Sequence, residues 1–93
     1  MEIEPHGPRQ QLASARQLYD QGMFDDAASL YRSVLAKHPA NAEANFWMGS
    51  IFIAKKDFHQ ATEYMERATS AAPDHTGVLD RLGMLYDKQK RFE

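Results

Sequence analysis

Gly22-Met23-Phe24-Asp25-Asp26-Ala27 decides how this chain folds, because its phenylalanine and alanine return 34 residues later as Phe58 and Ala61. Phe92 continues the phenylalanine series at the same step. Outward from this stretch the register holds: Pro39 recurs as Pro73, and Gly49 as Gly83 with small Ala15 one period earlier. Leu18, Phe52 and Tyr86 form a further large apolar series. A fixed period of this size marks a solenoid, in which each unit buries its apolar face only against its neighbours. The reading is an all-α array of short antiparallel helical hairpins.

Composition bounds what such an array can do. Ninety-three residues make one domain. A chain this short buries only ~60–65% of its unfolded surface, so its stability margin is thin. There is no cysteine, which excludes a disulfide framework and a thiolate zinc site. The formal charge of −2 argues against a nucleic-acid surface, which shows as a basic stripe. No apolar run is long enough to cross a membrane. Met1 to Pro5 lack the basic and apolar parts of a secretory signal, so the compartment stays open, with the cytoplasm as default.

Local signals place five helices and no strand. Residues 1–7 should be a loose leader, since Pro5, Gly7 and Pro8 disfavour early helix. The first helix is expected from about Arg9 to Gln21, closed by Gly22. The second starts near Phe24, where Asp25 and Asp26 suit the positive helix end, and stops at Pro39. The third covers about Asn41 to Lys56. Asp57 reads as an N-cap for the fourth, which ends before Pro73. The fifth begins near Asp74–Thr76 and runs to about Gln89. Glycine inside a helix is about 1 kcal/mol worse than alanine, so Gly49 and Gly83 suggest close backbone approach. Ala27 and Ala61 should face these small positions, with Tyr31 and Met65 filling the core one turn along.

The residues Ala15, Leu18, Gly22, Phe24, Ala27, Tyr31 and Pro39 resemble the tetratricopeptide repeat family. So do Met48, Gly49, Phe52, Phe58, Ala61, Met65, Ala68 and Pro73, and then Leu79, Leu82, Gly83, Tyr86 and Phe92. Departures are Gln11, Asn45 and Leu79 at the family's early tryptophan position, and Ser14 at the following leucine position. The resemblance implies a right-handed solenoid with repeats at residues 8–41 and 42–75 and a half repeat at residues 76–93. It also implies a non-enzymatic module for protein–protein interaction, with a peptide in the concave groove lined by the first helix of each repeat. The matching positions are Arg9, Leu12, Ala13, Arg16 and Tyr19, then Glu43, Phe46, Trp47, Ser50 and Ile53, then Gly77, Asp80, Arg81, Met84 and Asp87. Leu12, Arg16, Tyr19, Phe46, Trp47, Ser50, Ile53, Arg81 and Met84 form the candidate groove. Tryptophan and arginine are the types that most often dominate binding energy. Phe46 and Trp47 fit equally as filling between adjacent first helices, and Arg16 and Arg81 fit as solvated surface.

A subset of this family grips chaperone tails with a two-carboxylate clamp of lysines, asparagines and arginine. The matching positions here are Leu12, Arg16, Trp47, Gly77 and Arg81, of which only Arg81 agrees. That donor fork cannot form, so clamp binding of chaperone tails is not expected. Catalytic chemistry and cofactor sites are not expected either. His6, His38, His59 and His75 lack a second ligand at the i, i+4 spacing that would place two on one helix face. No nucleophile motif or phosphate-cradling glycine loop is present.

The family would continue past Phe92 into a second helix of the third unit. We therefore expect a segment of a longer protein, with Leu79, Leu82, Leu85 and Tyr86 poorly covered. The alternative function is architectural: self-association into a homo-oligomer through that fifth-helix face.

Overall fold

Helices in this chain begin and end where the sequence supplies partners for unsatisfied backbone groups. The computed structural model describes residues 8–91 as α1 (Pro8–Asp20), α2 (Phe24–Lys37), α3 (Ala42–Ala54), α4 (Phe58–Ala71) and α5 (Thr76–Arg91). No strand occurs among the described residues. The expected leader, residues 1–7, lies outside them, as do Phe92 and Glu93. Pro8 opens α1, at a position where its missing N–H is not needed. Asn41 caps α3, its Oδ1 accepting from the Ala44 N–H at 2.8 Å, and Asp57 caps α4 from Gln60 at 3.2 Å. His75 stands one period after Asn41 and does the same for α5, its Nδ1 accepting from the Val78 N–H at 3.2 Å.

The two hairpin turns share one geometry. Gly22 has φ +79° and Lys56 has φ +65°, both in the left-handed region. In the first turn Gly22 N–H donates to the Tyr19 carbonyl and Met23 N–H to the Leu18 carbonyl, each at 2.9 Å. In the second, Lys56 N–H donates to Ile53 at 3.0 Å and Asp57 N–H to Phe52 at 2.9 Å. These reversed bonds satisfy the last carbonyls of a helix and turn the chain back. Lys90 holds the same register position in α5 but stays helical, so α5 runs past the expected end near Gln89 to Arg91.

α1 pairs with α2 and α3 with α4, while α2 packs on α3 and α4 on α5. One core cluster contains Ala15, Ala27, Tyr31, Val34, Ala44, Met48 and Ile51. A second joins Phe46, Ala61, Met65 and Ala68 to Val78, Leu82 and Leu85 of α5. Tyr31 is fully buried, and burial followed by the Glu43 charge pushes its phenol far above the usual tyrosine range. It therefore packs as a neutral ring.

Two expectations need correction. Close backbone approach does not explain the glycines. A Cβ on Gly49 would lie 2.8 Å from Met65 Cε and 2.9 Å from Met65 Cγ, so the space is filled by a side chain of α4. At Gly83 nothing lies within 4 Å. Nor are all four expected α5 residues bare: Leu82 and Leu85 are 7% and 0% exposed, because they point into the core shared with α4. Leu79 and Tyr86 remain 46% and 50% exposed.

The shared turn geometry sets opposite outcomes for two substitutions. Lys56→Gly should raise unfolding stability by about 1 kcal/mol, since left-handed backbone disfavours any residue with a Cβ. Gly22→Ala should lower it by about as much. Urea denaturation of both variants checks this; a Lys56→Gly midpoint no higher than the parent's would mean that the second turn carries no strain.

Candidate functional site

A row of rings crosses from the first hairpin to the start of α5. Tyr19 and Phe24 flank the first turn, with ring centroids 5.2 Å apart. Tyr19 meets Trp47 at 4.9 Å, Trp47 meets Phe46 at 4.9 Å, and Phe46 meets His75 at 5.4 Å. The first three contacts are edge-on, the arrangement that ring quadrupoles favour. Residues three apart on a helix share a face, which lets Arg16 and Tyr19 of α1 both reach Trp47 of α3.

Two guanidinium groups stack on this row. Arg16 lies 4.2 Å above the Trp47 ring and Arg81 lies 4.8 Å from the Phe46 centroid. Such contacts are each worth about 0.5–1 kcal/mol at exposed sites, enough to hold a charged head in place. Arg16 is further oriented by Asp20, Nε to Oδ1 at 3.1 Å, and half of its side chain stays exposed. The arrangement offers a partner apolar ring edges flanked by preset donors.

Candidate residues divide into those the structure gathers here and those it does not. Arg16, Tyr19, Phe46, Trp47 and Arg81 come together through the contacts above. Leu12 and Ile53 pack at the edges of the two core clusters, and Met84 is exposed on α5. Phe46 is 9% exposed and belongs to the core with Val78 and Leu82, so it mainly fills the seam between helices. Ser50 is withdrawn from the surface: it is 4% exposed and its hydroxyl donates to the Phe46 carbonyl at 3.0 Å. Of the flanking positions, Arg9, Ala13, Glu43, Asp80 and Asp87 are exposed and Gly77 is half-buried.

Sequence reasoning missed several polar contacts between elements. Asp25 at the start of α2 pairs with Lys55 at the end of α3, and that hydrogen bond holds the Asp25 carboxyl below its usual range. Tyr86 donates to Glu66 Oε2 at 2.9 Å, and Gln89 Nε2 donates to Thr62 Oγ1 at 2.6 Å. His75 as a capping and ring-stacking residue was readable, since it follows Asn41 by one period. The others join polar side chains of different helices whose pairing no period encodes. Among the described residues no group of three or more His, Cys, Asp or Glu is placed to hold a metal ion. No helix among them is long and apolar enough to cross a membrane.

With both hairpins in the same register and the ring row on their first helices, one comparison is decisive. A family model of the tetratricopeptide repeat matches residues 12–76, more than half of the chain. The chain belongs to the tetratricopeptide repeat family. Tetratricopeptide repeats generally mediate protein–protein interaction. The matched span runs from within α1 to the first residue of α5, so it contains Arg16, Tyr19, Phe46, Trp47 and His75.

Two measurements test the assignment of these contacts. The hydrogen bond to Glu66 raises the Tyr86 phenol above its ordinary range, because the bond requires the neutral form. Its contribution is therefore complete below the ordinary tyrosine range and lost as pH rises through the folded value. Glu66→Gln should bring the Tyr86 titration back down, as read by ultraviolet or NMR titration; an unmoved midpoint would assign the shift elsewhere. Phe46→Ala should destabilise the fold by roughly 3 kcal/mol through its buried ring, whereas Arg81→Ala should change the urea midpoint little.

Proposed function

We propose that this chain is a non-enzymatic binding module that takes a peptide or protein segment along the face of α1, α3 and α5. The reading is carried by one observation: Arg16 and Arg81 stack on the joined Trp47–Phe46 pair, within a ring row that spans both repeats. Trp47 and Tyr19 supply half-buried apolar contact, and the guanidinium N–H edges donate to carbonyl or carboxylate oxygens of the bound segment. Holding both arginines in advance reduces the ordering that a ligand must impose. The clamp for chaperone tails forms no part of this reading, since Leu12, Trp47 and Gly77 stand where its donors would be.

A second reading is favoured by the exposure of Leu79 and Tyr86 beside the open space at Gly83. In it the chain is architectural and α5 carries an interface.

The test of the first reading is selection of binders from a displayed peptide library, followed by affinity measurement on variants. Arg16→Ala and Arg81→Ala should each weaken selected peptides about tenfold or more, with helicity unchanged. Arg67→Ala, over Tyr64 away from the ring row, serves as the control and should leave affinity unchanged. Selected peptides indifferent to both Arg16→Ala and Arg81→Ala would remove the groove reading.

A further inference from the structure

A cavity of about 300 Å³ opens between α2 and α4, on the side away from the ring row. Leu35 and Pro39 line it from the end of α2 and the linker beyond, Tyr64 and Arg67 from α4, and buried Asn45 from α3. Arg32 completes the α2 side, three residues before Leu35 and therefore on the same helix face. The Arg67 guanidinium is held 5.2 Å from the Tyr64 centroid. Among the described residues neither arginine forms an ion pair, and no acidic side chain lines the cavity. Asn45 is 0% exposed. Its Nδ2 donates to the Pro39 and Asn41 carbonyls, each at 3.0 Å, and two acceptors there fix which way round the amide lies. Its Oδ1 is left buried without a partner, an incompleteness that buried polar groups rarely tolerate. The repeat does not demand this set of residues. One period on, Arg32, Leu35 and Asn45 give way to Glu66, Thr69 and Leu79.

We propose that this cavity binds a small apolar carboxylate with an amide N–H beside the acid group, of which an N-acylated amino acid is the simplest. Arg32 and Arg67 donate to the carboxylate from the two helices, using the fork of donors that guanidinium groups offer to paired oxygens. Asn45 Oδ1 accepts the amide N–H, which completes its hydrogen bonding. Leu35, Pro39 and Tyr64 take the apolar side chain. Each of the ligand's three groups thus answers a feature of the wall. A bare inorganic anion would use the arginines and leave the apolar wall unmet. Size sets a further limit, since about 300 Å³ is the lower end of the range for small-molecule pockets. The bound body is therefore one amino acid rather than a nucleotide. The site shares no residue with the ring row, so it stands or falls separately from peptide binding there.

The probe is N-acetyl-leucine, titrated into the full chain and followed by NMR at the Asn45 side-chain amide and the arginine Nε–H groups. Millimolar or tighter binding is expected, with shifts at Asn45, Arg32 and Arg67. N-acetyl-leucinamide lacks the charge and 4-methylpentanoate lacks the N–H, so each should bind about tenfold or more weakly. Arg67→Ala should weaken N-acetyl-leucine about as much. Lys88→Ala removes the same charge from α5, over Phe58 and away from the cavity, and should leave binding unchanged. Asn45→Ala also frees the linker between α2 and α3, so the 4-methylpentanoate comparison tests the Oδ1 contact on the unaltered chain. Displacement of N-acetyl-leucine by inorganic phosphate at equal concentration would reduce the site to an anion contact and overturn the ligand class. Equal affinity for 4-methylpentanoate, loss of binding in Lys88→Ala, or no shift at Asn45 would do the same. A tetrapeptide ending in leucine should bind no more tightly, because its further residues lie outside the cavity. A tighter peptide would give the cavity to a chain end and overturn the small-molecule assignment.

Discussion

A methionine laid across a glycine, Met65 on Gly49, sets the separation of α3 and α4, and much of the molecule follows from that separation. Were residue 49 any larger, Met65 would be pushed outward and the stacked pair Phe52–Tyr64 one turn away would lose its spacing. Ala61 and Ala68 then pack at 0% exposure on either side, and α4 reaches α5 through Val78, Leu82 and Leu85. In an array where each unit meets only its neighbours, one such distance is passed along the chain. The left-handed turns at Gly22 and Lys56 fix the reversal, but the side chains between the helices fix how far apart they lie.

The ring row is a consequence of the same geometry. Because α3 packs on both its predecessor and its successor, Phe46 and Trp47 sit where the two repeats meet. One of them turns into the core and the other stays half-open. A residue pair with this division of labour couples the exposed face to the packing beneath it. Arg16 and Arg81 are kept on the rings rather than dispersed into solvent, so charge on this face has a definite position.

The architecture was legible because periodicity reports contacts that every repeat must make. Phe24, Phe58, Ala27 and Ala61 recur for that reason, whereas the caps at Asn41 and His75 share a register but not a residue type and were not read in advance. What repeats carry no information about was not legible. Ser50 stands at a groove position by register, yet its hydroxyl finds the Phe46 carbonyl one turn back, a local choice that no period encodes. Leu82 and Leu85 look alike with Leu79 in sequence, but helical rotation sends the first two into the core and leaves the third outside. Lys56 in a left-handed turn could be read only from its register with Gly22, since lysine itself gives no sign of positive φ. The contact between Met65 and Gly49 was visible only as a small residue, without showing what would fill the space.

Asn45 separates the two joints of the array in mechanical terms. Its Nδ2 donates to the carbonyls of Pro39 and Asn41, each at 3.0 Å, tying the segment between α2 and α3 to the first turn of α3. Leu79 holds the equivalent place at the α4–α5 junction and has no donor to offer. Directional bonds resist bending and twisting more sharply than apolar contact, which tolerates sliding. The first joint is therefore braced at its linker and the second along its helices, where Tyr86 and Gln89 of α5 donate to Glu66 and Thr62 of α4, so the two resist a load at different places.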